Sequence, residues 1–179
     1  MKRLFFFVLL LLPVAVMAET LHFPYNPSLS PDGKDIYFSY NGDIFKVPAQ
    51  GGHAMSIVSL GGNESKPKVS PCGKWVAFAS DVQGNNDVYI VPVKGGDVKR
   101  LTWHEGSDVP VGWSKDSKYI YFESNRANSR TTYKVPVSGG TPVRLFENYF
   151  NTIVNVAENP VTGELYFNES TESISFPTR

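Results

Sequence analysis

The sequence predicts an all-β protein: a partial β-propeller of about three four-stranded blades plus part of a fourth, after an N-terminal signal peptide. Three observations predict it. A turn-and-strand pattern recurs roughly every 44 residues. The composition combines nine Tyr and twelve Phe with 15 Gly and 13 Pro, which suits strands joined by many turns. Helical periodicity is absent after the leader.

The leader spans residues 1–18. Lys2 and Arg3 form a basic start, Leu4 to Met17 an apolar run broken only by Pro13, and Val16 and Ala18 the small residues before a cleavage point. The apolar run is shorter than the roughly 20 residues that span a bilayer. No cysteine follows Ala18, so a lipid anchor there is not expected. Cleavage leaves 15 of the 17 basic residues against 17 acidic ones, a net charge of −2. Export to the periplasm or medium is expected. Zero net charge over the full chain argues against a nucleic-acid binder, since a phosphate backbone wants a basic face. With one cysteine there is no internal disulfide, and Cys72 is expected to be buried.

Residues 19–179 form the propeller part, with repeats at approximately 22–62, 63–106, 107–150 and 151–179. Each opens with a first strand, such as Lys66 to Val69 or Val109 to Trp113. A turn follows: Ser30-Pro31-Asp32-Gly33-Lys34, Ser70-Pro71-Cys72-Gly73-Lys74, Ser114-Lys115-Asp116-Ser117-Lys118 and, more weakly, Asn159-Pro160-Val161-Thr162-Gly163-Glu164. Pro presets φ, Asp bonds nearby backbone and Gly accepts positive φ. Second strands come next, ending in Phe38, Phe78, Phe122 and Phe167. Third strands run Asp43 to Pro48, Asp87 to Pro92 and Thr131 to Pro136, each closed by a glycine pair at 51–52, 95–96 or 139–140. Fourth strands are expected at Val98 to Thr102 and Pro142 to Phe146. The near-continuous apolar runs Trp75 to Ala79 and Tyr119 to Phe122 suit sheets covered on both faces. A β-sandwich or a stack of hairpins explains the strict period less well.

Propellers typically close with four to eight blades. Three blades and part of a fourth therefore predict the front of a longer chain, or a chain completed by a partner.

The ordered series of motifs resembles the WD40-like repeats of TolB, tricorn protease and prolyl-oligopeptidase-type enzymes. It is most similar to the N-terminal propeller of secreted bacterial tricorn protease homologues. The resemblance lies in Phe23-Pro24-Tyr25-Asn26-Pro27, Gly42 to Pro48, Ala77 to Asp81, Arg100 to His104, Asp108 to Ser114 and Asn159 to Asn168. It covers roughly residues 21–170. It implies a second propeller, a PDZ domain and a serine peptidase domain of the C-terminal processing protease class further along the chain. Peptides or unfolded polypeptide are the implied substrates of that parent, whose self-association is left open. A TolB-like protein-binding propeller and the lid of a prolyl-oligopeptidase-like enzyme are the alternatives.

No catalytic, cofactor or metal residue is assigned within the chain, and no cofactor is expected. Serines sit outside any Gly-x-Ser-x-Gly elbow, and Ser30 and Ser70 belong to repeated turns. His22, His53 and His104 are scattered and lack zinc spacing; His104 beside Glu105 and Asp108 reads as a rim loop. Asp81, Asn85, Asn86 and Asp87 lack the calcium-loop pattern and read as a hairpin turn. The glycine pairs precede no lysine-serine or lysine-threonine pair, so they make no phosphate loop. Trp75, Trp103 and Trp113 are expected to pack between blades.

Overall fold

The computed structural model describes residues 24–127, 129–147 and 151–171. The leader lies outside these residues. Fourteen strands and no helix occur among the described residues. The first sheet holds β1 (Tyr25–Leu29), β2 (Asp35–Tyr40), β3 (Asp43–Pro48) and β4 (Met55–Val58) in sequential antiparallel order. The second holds β5 (Ser65–Val69), β6 (Trp75–Ser80), β7 (Asp87–Pro92) and β8 (Lys99–Arg100). In the third, β9 (Asp108–Trp113), β10 (Tyr119–Ser124), β11 (Thr131–Pro136) and β12 (Val143–Arg144) repeat the arrangement. A last hairpin, β13 (Asn151–Glu158) and β14 (Leu165–Thr171), joins the third sheet through one parallel bridge, Thr131 to Ile153. The expected propeller blades are thus present.

Blades are linked by the same device at equivalent positions. Glu64 N–H donates to the Gly42 carbonyl at 2.7 Å, and Asp108 N–H to the Asn86 carbonyl at 2.7 Å. Gly62 and Gly106 precede these links and have no room for a Cβ. At Gly62 it would sit 2.7 Å from the Val82 nitrogen, and at Gly106 2.9 Å from the Arg126 nitrogen.

Packing follows from strand alternation. Val76, Phe78, Tyr89 and Val91 point one way and bury against Tyr37, Ile44 and Val58 of the first blade. Ala77, Val88 and Ile90 point the other way, joining Trp113, Ile120, Phe122, Tyr133 and Val135 of the third blade. Tyr121 meets Ile153 and Val156 of the last hairpin. Directly opposed aromatic pairs recur: Phe38–Phe45, Phe78–Tyr89 and Phe122–Tyr133, with centroids 6.0, 5.7 and 5.7 Å apart. Such pairs add to area burial.

The fourth strands are shorter than expected, two residues each instead of five. In the second blade the Thr102 hydroxyl takes the Val88 N–H at 2.9 Å, so a side chain replaces the next ladder bond. The tryptophans divide. Trp113 is buried and donates Nε1–H to the Lys68 carbonyl at 2.8 Å. Trp75 packs partly buried against the core. Trp103 is 62% exposed, with the Arg100 guanidinium over its ring, and so does not pack between blades.

The repeated turns work as expected, with one informative difference. Ser30 Oγ donates to Asp32 at 2.7 Å while accepting the Asp35 N–H at 2.9 Å. Ser114 and Asp116 repeat the bond at 2.7 Å. Both carboxyls are held below the usual range by the serine hydroxyl and a backbone N–H. Cys72 stands at the equivalent position of the second blade. It is exposed, which corrects the expectation of burial. The reason is its place at the aspartate corner of a surface turn. Partial burial pushes its thiol up, but hydrogen bonding to the Ser70 and Ser117 hydroxyls and to the Lys74 N–H outweighs this and holds the thiol below its ordinary value. The same hydrogen bonds that hold the aspartates of the other turns favour the thiolate form of Cys72 over the thiol. A lowered folded value means stabilisation that is present at alkaline pH and fades as pH falls through that value. Alkylation of Cys72 by a neutral reagent should therefore inflect at lower pH in the native chain than in urea. Equal inflections would show that the turn does not favour the thiolate.

Candidate binding site

The first strands of successive blades, β1, β5, β9 and β13, lie side by side. Each breaks register with its second strand: at Tyr25/Ser28, Ser65/Lys68, Gly112/Pro110 and Val154/Ala157. These bulges are in step with the repeat. In three of them the extra residue adopts a left-handed conformation: Asn26 at φ 54°, Lys66 at 52° and Asn155 at 57°. Proline occupies the corresponding place in the third blade, where Pro110 offers no N–H to a ladder. A bulge bends the strand and re-aims its side chains. Here the bulged residues line a cavity of about 610 Å³.

The lining is unevenly charged. Lys66, Lys68 and Arg130 supply three cations, and Glu123 is the one acid among the lining residues. Glu123 is buried and fully engaged. One carboxylate oxygen accepts the Asn155 N–H at 2.9 Å, and the other meets Arg130 Nη2 at 2.8 Å. Thr132 Oγ1 donates to the Ile153 carbonyl at 2.8 Å and holds β13 in place. Lys66 and Lys68 are both partly buried, and neither has an ion-pair partner among the described residues. Burial, then the charge of Lys66, pushes the Lys68 ammonium below its ordinary value. The rest of the lining mixes Pro110, Val111, Val154, Val156 and Ala157 with the polar Asn26, Thr152 and Asn155.

His22 lies outside the described residues, and the other residues weighed from the sequence do not line this cavity. His104 Nδ1 accepts the Gly106 N–H at 2.8 Å within its own loop. Asp108 is buried and ion-paired with Arg126. Asn85 donates to the His104 and Gly106 carbonyls at 2.8 and 3.0 Å, closing the loop between blades. Asp81, Asn85 and Asn86 lie in the hairpin turn between β6 and β7, as expected, while Asp87 is the first, buried residue of β7 and pairs with Arg100. Among the described residues no three His, Cys, Asp or Glu side chains cluster as metal ligands. Sequence reasoning missed Lys66, Lys68, Glu123 and Arg130. The available signal was Lys66-Pro67-Lys68 at the bulge position shared with Asn26, Pro110 and Asn155.

Four-stranded blades arranged side by side, with a cavity among their first strands, define a β-propeller with a ligand-sized cleft. Residues 22–172 match the tricorn protease N-terminal beta propeller domain, and the chain belongs to that family. Solved structures share the fold at low identity. Against the tricorn protease the TM-score is 0.68 at 18% identity, covering 83% of this chain and 15% of that one. A nidogen/laminin complex gives 0.65 at 14%, covering 86% and 58%. TolB from Acinetobacter baumannii gives 0.60 at 23%, covering 86% and 42%. This chain thus spans less than two thirds of each of these three. No curated protein matches it.

Proposed function

We propose that the chain is an exported, polypeptide-binding β-propeller that performs no chemistry itself. Residues 1–18 would direct export and be removed, leaving the propeller from residue 19 onward. One observation carries the reading: a cavity of about 610 Å³ among the first strands, lined by both apolar and polar residues, with two lysines that lack acidic partners among the described residues. Concave, largely apolar sites with a few placed polar groups are where ligands bind. The likeness to TolB and tricorn propellers is compatible with a peptide or protein as the ligand.

The family match supports a second reading, in which the propeller guides peptides to a peptidase domain further along a longer chain. A labelled, reduced and alkylated polypeptide mixed with the purified chain separates the outcomes. Saturable binding, with the polypeptide recovered intact and the native folded form not bound, is expected. No binding would sink the reading, and cleavage would sink its non-catalytic part. Detecting the repeat region in its native envelope on a peptidase several times larger than 19.9 kDa would favour the second reading.

A further inference from the structure

We propose that the cavity recognises the side-chain carboxylates of an acidic polypeptide segment. This rests on the polypeptide-binding reading and names the class of segment. Lys66 and Lys68 come from one strand, β5, and line the same cavity. Their charges repel, and partial burial removes water that would otherwise screen them. Glu123 does not relieve them, because both its oxygens are taken by Asn155 and Arg130. The unliganded cavity therefore holds uncompensated positive charge. A carboxylate between the lysines would neutralise it and supply the missing acceptors.

The cationic character is local. The whole chain carries 17 basic and 17 acidic residues, so a surplus on one wall does not reflect a basic protein. The lining also argues for polypeptide over nucleic acid. Among the described residues no aromatic side chain lines the cavity to stack a base. Val111, Val154 and Ala157 instead offer accessible apolar carbon for backbone and aliphatic groups between the charged residues. Asp or Glu residues alternating with small apolar ones match this wall.

The test uses the purified full chain and fluorescein-labelled peptides with acetylated and amidated ends. One peptide alternates Glu with Ala, a second replaces Glu by Gln, and a third by Lys. Anisotropy at low salt should show the acidic peptide binding about tenfold tighter than the Gln peptide. High salt should narrow the gap. The pair K66Q/K68Q should abolish the preference, K66R/K68R should keep it, and K94Q, on an exposed residue outside the cavity, should leave it unchanged. Equal affinity for the acidic and Gln peptides would overturn the inference while leaving polypeptide binding standing. Binding of none of the three would overturn both. A Gln peptide made with a free C-terminus that binds as tightly as the amidated acidic peptide would assign the lysines to a terminal carboxylate and overturn the side-chain assignment. An oligonucleotide binding as tightly as the acidic peptide would overturn the polypeptide class.

Discussion

Phe78→Ala should destabilise the chain by about 3–5 kcal/mol, read as a fall in the urea midpoint. The ring is fully buried, stacks on Tyr89 at 5.7 Å, and fills the space between the first and second blades against Tyr37, Ile44 and Val58. Removing it leaves a cavity walled by two sheets, neither free to collapse without disturbing its own ladder. That loss is a large share of the roughly 5–15 kcal/mol by which a domain is stable. Phe167 is the informative comparison, because it holds the same place in the repeat. It is 41% exposed and touches Phe146 at 4.6 Å. Phe167→Ala should cost only about 1 kcal/mol by the area it leaves buried. Equal costs at the two positions would mean that packing between blades is not what stabilises the chain.

Arg126→Leu should cost a similar amount, about 3–5 kcal/mol, for an electrostatic reason. Arg126 bonds Asp108, whose side chain is fully buried. It also donates to Ser124 Oγ at 3.0 Å and lies over the Phe122 and Tyr133 rings at 5.2 and 4.9 Å. Leucine keeps much of the packing but leaves a buried carboxylate without its cation. Adding Asp108→Asn to Arg126→Leu should recover more than half of the loss, since the stranded charge is gone. Urea denaturation of the single and double variants measures both effects. A double variant no better than the single one would assign the cost to lost ring contacts.

Repetition decided how much of the fold was legible. Ser-Pro-Asp-Gly, the opposed aromatics and the Val-Pro ends recur with fixed spacing, and local chemistry dictates each, so strands and turns could be placed by counting. The fourth strand of the second blade is shorter than its sequence suggests because Thr102, a side chain acting across strands, replaces the next ladder bond. Cys72 was misjudged from its residue type. Its neighbours in the turn, not its own hydrophobicity, set its exposure and its acidity. The cavity was the least visible feature. Lys66-Pro67-Lys68 reads as an ordinary polar stretch until a bulge turns it toward three other first strands. Glu123 and Arg130 come from segments whose convergence is purely tertiary.

The alternation of side chains on each blade has a consequence in the language of symmetry. Each of the first two contacts sets one sheet's stacked aromatic pair against the opposite face of its neighbour: Phe78 and Tyr89 against Tyr37, Ile44 and Val58, and Phe122 and Tyr133 against Ala77, Val88 and Ile90. Contact between blades is therefore heterologous: a knob of one kind always enters a socket of another. Like faces are not complementary, so the surface is ill suited to a two-fold dimer formed by apposing two first blades. Such an interface propagates in one sense only, and the rotation between successive units decides whether it closes into a ring.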